Sequence, residues 1–205
     1  HRGPDDEGHY VDSDVMLGMR RLKIIDLETG NQPIYNEDRS IVIVFNGEIY
    51  NYKENRRYLE EKGHHFYTNS DTEVIVHLYE EFGAGCVGRL RGMFAFALWD
   101  KRKKRLLIAR DRLGIKPLYY HLDNGKLLFS SELKSLLEYK ELRREVNLNA
   151  VHDYLTFMCV PTPQTIFKDI YKLEPGCILI CRNGETKVEK FWDVSHFIQS
   201  SENIR

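Results

Sequence analysis

The stretch SIVIVFNGEIYN, residues 40–51, decides the fold. Its apolar core, IVIVF at 41–45, reads as a buried strand that stops at Asn46-Gly47. Asn-Gly is the strongest short hairpin signal. Yet Tyr-Asn-Tyr-Lys and a helical pattern follow, with no partner strand within hairpin distance. An Asn side chain beside a Gly backbone N–H offers two donors that can converge on one oxygen, as an oxyanion hole requires. The pattern alone leaves the turn and the oxyanion hole both open.

Outward from this stretch the chain alternates between hairpin-linked strands and paired helices. Upstream, 15–26 (VMLGMRRLKIID) reads as one or two strands, and Gly30-Asn31-Gln32-Pro33 as turn chemistry. Downstream, 52–63 is an amphipathic helix ending at glycine, and 65–69 a short strand. Helix 72–82 follows, where Ser70 and Glu73 have the capping-box spacing. A short helix is expected at 84–90, strands at 93–100, 105–110, 117–122 and 126–130, and helices at 132–138 and 148–157. The tail gives strands at 170–173, 177–182 and 186–192, with Asp123-Asn124-Gly125 and Asn183-Gly184 as hairpin turns. This grouping favours antiparallel sheets with helices on their faces, an α+β arrangement, over alternating βαβ units.

The 205 residues suit one large domain. A net charge of −1 gives no general field for nucleic acid or an anionic membrane, and the longest apolar run, 93–99, is too short to span a bilayer. No signal peptide opens the chain. Cys86, Cys159, Cys177 and Cys181 read as reduced thiols of a cytoplasmic protein. Cys177 and Cys181 share one face of a predicted strand, and the eight histidines show no ligand spacing, so no metal site is expected. The basic run 101–105 lies between two apolar strands and reads as a solvated turn. The chain begins at His1-Arg2-Gly3-Pro4-Asp5 without a Met and reads as a segment of a longer protein.

Two further positions carry alternatives. Asp71 is either a first-turn acidic residue favoured by the helix dipole or an exposed carboxylate that receives an ammonium group. Arg20 and Arg21 alternate across a strand, so one can face solvent while the other faces a cleft. An arginine fork suits a carboxylate.

HRGPDDEG (1–8), RLKIID (21–26), NQPIYN (31–36), FNGEIYN (45–51), SDTEVI (70–75), GMFAFALWD (92–100), RDRLGIKPLYY (110–120) and SSELKSL (130–136) stand in an order that resembles the glutamine-hydrolysing domain of asparagine synthetases. That domain is a class II glutamine amidotransferase of the N-terminal-nucleophile hydrolase type. The resemblance implies a four-layer αββα fold with two stacked antiparallel sheets over residues 1–192, and at 193–205 the start of a linker to a synthetase domain. It assigns Arg21 to the substrate α-carboxylate, with the backbone of Leu22, Lys23, Ile24 and Ile25 alongside. It assigns Asn46 and Gly47 to the oxyanion hole, and Glu48 and Asp71 to the α-ammonium of glutamine. It places ATP and Mg in the synthetase domain, which takes ammonia from this one to amidate aspartate, and it admits a homodimer.

The departure from the family is the nucleophile, a cysteine at residue one of the mature enzyme. It would stand several tens of residues before His1, and none of the four cysteines has the matching context. The chain by itself is therefore expected not to hydrolyse glutamine. Two other readings stay open: a non-catalytic amino-acid-binding or docking module, and an amidotransferase domain serving another acceptor.

Overall fold

The computed structural model describes residues 3–22, 26 and 29–195. In chain order, strands β1 (Asp6–Val11), β2 (Met16–Arg21), β3 (Ile34–Tyr35) and β4 (Ile41–Ile49) precede helices α1 (Tyr52–Glu61) and α2 (Asp71–Phe82). A 3₁₀ segment, Gly83–Arg89, leads into β5 (Gly92–Asp100), β6 (Arg105–Arg110), β7 (Tyr119–Asp123) and β8 (Lys126–Ser130). Helices α3 (Leu133–Leu136) and α4 (Leu148–Phe157) are followed by β9 (Ile170–Lys172), β10 (Cys177–Arg182) and β11 (Glu185–Lys190).

The central sheet has the order β11-β10-β6-β5-β4-β3 and is antiparallel throughout. Alternation along β4 sorts its side chains between two cores. Ile43, Phe45 and Ile49 face α1 and α2, packing on Leu59, Val74, Ile75 and Leu78. Val42 and Val44 face the opposite way, with Ala95, Ala97, Ile108 and Leu179, onto Leu17 of β2 and Leu118, Tyr120 and Phe129. This second layer comes in two pieces, the β1-β2 ribbon and the sheet β8-β7-β9. Leu133, Leu136 and Leu142 close its far side against Tyr119, Leu128 and Ile170. The layers thus run helix, sheet, sheet, helix, as the sequence motifs imply. Among the described residues, no helix is long and apolar enough to cross a membrane.

Several boundaries differ from the sequence expectation for identifiable reasons. Strand β4 does not stop at Phe45. It pairs on through Asn46, Gly47 and Glu48 to Ile49, opposite Ala95, Phe94, Met93 and Gly92, so Asn46-Gly47 is strand and not a turn. Residues 65–69 form no strand: the amides of Tyr67 and Thr68 bond the Glu73 carboxylate at 2.9 and 2.8 Å in place of a ladder. That use of Glu73 also leaves the capping box half made, with Ser70 Oγ accepting from Thr72 N. Among the described residues of 15–26 there is one strand, β2, and β1 is a strand that its polar sequence, DEGHYV, concealed. The expected helix at 132–138 shortens to α3, and the one at 84–90 is 3₁₀. The turn at 101–104 is exposed, as its charge indicates.

The loop after β6 is locked by two adjacent side chains. Arg110 donates to the carbonyls of Gly114, Lys116 and Leu173 at 2.6–2.8 Å. Asp111, 1% exposed, accepts from the amides of Phe94, Leu113, Ile115 and Lys116 at 2.9–3.2 Å. Asp111→Ala orphans all four donors and is expected to lower unfolding free energy by on the order of 3 kcal/mol, read from the urea midpoint. Asp111→Asn should lose less.

Candidate active site

The row of β4 that faces the second layer begins apolar with Val42 and Val44 and turns polar at Asn46 and Glu48, two and four residues on. Across the gap, β2 presents Leu17, Met19 and then Arg21 on its inward face. Arg20, on the outward face, pairs with Glu7 at 2.8 Å. Arg21 is 6% exposed. Its guanidinium donates to Asn31 Oδ1 at 3.1 Å and to the main-chain oxygen of Asp26 at 2.9 Å, which fixes the plane of the fork. The alternation that sequence left undecided is resolved: one arginine is solvated and the other is turned inward. A Cβ at Gly30 would lie 2.7 Å from Arg21 Nη2, so this glycine makes room for the fork.

Hydrogen bonds bind the loop after β2 to the other two segments. The Asp26 carboxylate accepts from Thr29 N and from Asn69 N, at 2.9 and 2.8 Å, two residues before Asp71. Gln32 mimics a strand with its side chain: Oε1 accepts from Phe45 N at 2.7 Å and Nε2 donates to Phe45 O at 3.0 Å. Leu22 is 59% exposed. Lys23, Ile24 and Ile25 lie outside the described residues.

The edge of β4 carries the decisive geometry. In an extended strand alternate residues direct their N–H and C=O to the same side. Phe94 turns both of its groups toward Asp111, so Gly47, directly opposite it, directs its amide away from β5. Phe45 and Ile49 share that edge. The Phe45 amide goes to Gln32 and the Ile49 amide to Asp71 Oδ2 at 2.8 Å. The Gly47 amide lies between them. A Cβ at Gly47 would stand 2.1 Å from Met93 O and 2.7 Å from Phe94 Cα, and φ is +154°, so only glycine allows this approach. The Asn46 side chain forms no hydrogen bond with the described residues.

Asp71 opens α2 and is 4% exposed. Burial raises its pKa, and the neighbouring Glu48 adds to the rise, against the lowering by the Ile49 amide. Among the described residues, neither Glu48 nor Asp71 forms an ion pair with Lys, Arg or His. The structure thus brings Asn46, Gly47, Glu48 and Asp71 together at one end of β4, and links the inward Arg21 to the Asp71 segment through Asp26 and Asn69. Gln32, Asp26 and Asp111, which hold that end in shape, were not singled out by sequence. The polar residues Asp26 and Gln32 flanking Gly30 were the available signal. No cysteine joins the site. Cys86 is buried, which pushes its thiol up to about 12, and Cys177 packs in the inter-sheet core.

Comparison with known proteins gives the family. A family model described as a glutamine amidotransferase domain matches residues 1–192, and the chain belongs to that family. Within it, asparagine synthetase [glutamine-hydrolyzing] 1 of Bacillus subtilis is 47% identical over 176 residues, which cover 86% of this chain and 28% of that protein. Asparagine synthetase [glutamine-hydrolyzing] 2 of the same organism is 52% identical over 147 residues, 72% of this chain and 19% of that one. The chain therefore spans under a third of the length of either. The solved structure of the allosteric regulatory enzyme of purine biosynthesis shares the fold, with a TM-score of 0.58 at 20% identity, over 86% of this chain and 35% of that one.

The charge on Asp71 has a stability cost of definite sign. An acid whose pKa is raised by folding loses stability as pH climbs from the unfolded value, 3.8, through the folded one, and the loss persists above it. Asp71→Asn keeps an oxygen for the Ile49 amide and removes the charge. It should raise the melting temperature at pH 7, and the gain should vanish as pH approaches 3.8 or below. Calorimetry across that range checks it.

Proposed function

We propose that this chain is the glutamine-hydrolysing part of an asparagine synthetase, supplying ammonia for ATP-dependent amidation of aspartate. One observation carries the reading. Two carboxylates, one of them buried, gather at the end of β4 without a cation among the described residues, and a buried arginine on β2 is tied to the same segment through Asp26 and Asn69. Glutamine is a zwitterion, and its poles suit this split. Arg21 would take the α-carboxylate as a charge-assisted pair, and Glu48 and Asp71 the α-ammonium. A bound ammonium would offset the penalty that burial and Glu48 place on the Asp71 charge.

With both poles held, the side-chain amide is directed along the β4 edge. The Asn46 side chain and the Gly47 amide would then meet the carbonyl oxygen, and their bonds strengthen as it becomes negative. The attacking group is a cysteine thiolate supplied by a segment preceding this sequence, with its own α-amine as base. ATP and Mg belong to a synthetase domain beyond residue 192, into which ammonia passes. The setting is the cytoplasm, and a homodimer fits the family. The acceptor is selected by that other domain, so an amidotransferase with a different acceptor uses the same site.

Two measurements on the full-length protein test this. With the nucleophile replaced by alanine, calorimetric titration of glutamine should show Arg21→Ala and Asp71→Asn each weakening binding by about 1.5–3 kcal/mol. Unchanged affinity in both refutes the assignment. In the active enzyme, Asn46→Ala should slow turnover by about a hundredfold or more with little change in affinity.

A further inference from the structure

Where the β3–β4 loop meets α2 and the α1–α2 connection, four side chains converge from three segments: Glu37 of the β3–β4 loop, His64 after α1, and His77 and Glu80 of α2. One ligating atom from each lies within 4.8 Å of all the others. We propose that Glu37, His64, His77 and Glu80 form a structural binding site for one divalent transition-metal ion, with zinc the best fit.

The spacing is somewhat wider than a coordination shell, with one atom from each residue inside 4.8 Å, so the groups would draw in around an ion. Zinc about 2.1 Å from each of four ligands sets neighbouring ligand atoms about 3.4 Å apart. His64 Nδ1 stands 3.5 Å from Glu80 Oε2 and 3.7 Å from Glu37 Oε1, and His77 Nδ1 stands 3.6 Å from Glu37 Oε2. The His77 Nδ1 to Glu80 Oε2 separation is 2.8 Å, a direct hydrogen bond that an ion would open slightly. His77 and Glu80 are three apart on one helix and so share a face.

Three of the ligands are also held from behind by hydrogen bonds, as metal-binding side chains are, and the fourth, His77, has a buried Nε2 that approaches a carboxylate without bonding it. Both imidazoles turn Nδ1 inward and Nε2 toward a carboxylate: His77 Nε2 lies 3.5 Å from Glu73 Oε1, and His64 Nε2 lies 3.2 Å from Glu81 Oε1. Asn36 Nδ2 donates to the second oxygen of Glu80 at 2.8 Å, and His65 N donates to Glu37 Oε1 at 3.1 Å. His77 is fully buried, while Glu37 and Glu80 have side chains 39% and 24% exposed, which leaves an entry path from solvent. Two imidazoles with two carboxylates favour zinc over magnesium, which demands an oxygen shell. Four protein ligands make the site structural.

Histidine spacing along the chain gave no hint of this, because the ligands are scattered from 37 to 80 and the expected strand at 65–69, which would have splayed His64 from His65, does not form. The ion would clamp the α1–α2 connection to the β3–β4 loop. Through Glu73, which also bonds the Tyr67 and Thr68 amides, the clamp reaches the segment that carries Asp71.

The test uses the untagged full-length protein, freed of metal by a chelator. Zinc titrated by calorimetry should bind in a saturable one-to-one step through this site and raise the melting temperature, while Mg²⁺ should do neither. His64→Gln and Glu80→Gln, both at partly exposed positions, should each weaken that step at least tenfold while circular dichroism of the metal-free protein stays native. If the wild-type protein shows no such step, the four groups are an ion-pair cluster held by a protonated imidazole, and the proposal is overturned. Zinc binding that persists unchanged in both variants overturns it equally.

Discussion

Gly47 stands so close to β5 that a side chain there would overlap Met93 O. That contact fixes the register of the longest strand pair, with Gly47 opposite Phe94, and the rest of the site inherits its position from it. Because Asp111 takes both the amide and the carbonyl of Phe94, the parity of β4 follows. Residues 45, 47 and 49 direct their amides to the free edge, and residues 46 and 48 direct their side chains into the gap between the sheets. A slip of one residue would exchange the two sets and bury the carboxylate of Glu48 among the helices.

The other half of the site depends on side chains standing in for backbone. β3 covers only two residues of β4, opposite Val42 and Ile43. Beyond it, Gln32 continues the ladder with its amide group at Phe45, and Asp71 completes it with a carboxylate at Ile49. An edge finished in this way exposes one amide between two occupied ones. The arrangement also explains why a carboxylate is tolerated at 71 despite its burial: it satisfies the Ile49 amide, which has no other acceptor among the described residues. Under the proposed function the residue would serve folding and recognition at once, and the two demands on its charge would conflict.

How much of this was legible in the sequence depended on whether the cause was local. The apolar run at 41–45, the amphipathic α1, the basic turn at 101–104 and the Asn-Gly hairpin at 183–184 carry their structure in their own residues. The extent of β4 does not, since its last four residues are strand only because β5 offers matching partners far along the chain. The polar β1 is a strand by virtue of β2, and 65–69 is not one because Glu73 captures its amides. Among the site residues, Asn46, Gly47, Glu48, Asp71 and Arg21 were visible as motif positions. Asp26, Gln32 and Asp111 were not, because their role is to bond backbone brought near only by the fold.

The second layer is divided, and the division falls between the charged groups of the site. Arg21 rides on the β1-β2 ribbon, whereas Glu48 and Asp71 ride on the central sheet and its helices. No ladder of backbone hydrogen bonds joins the ribbon to the β8-β7-β9 sheet among the described residues. A small molecule gripped at opposite poles by the two bodies would act as a rivet across that seam, so occupancy of the site and rigidity of the ribbon would rise and fall together.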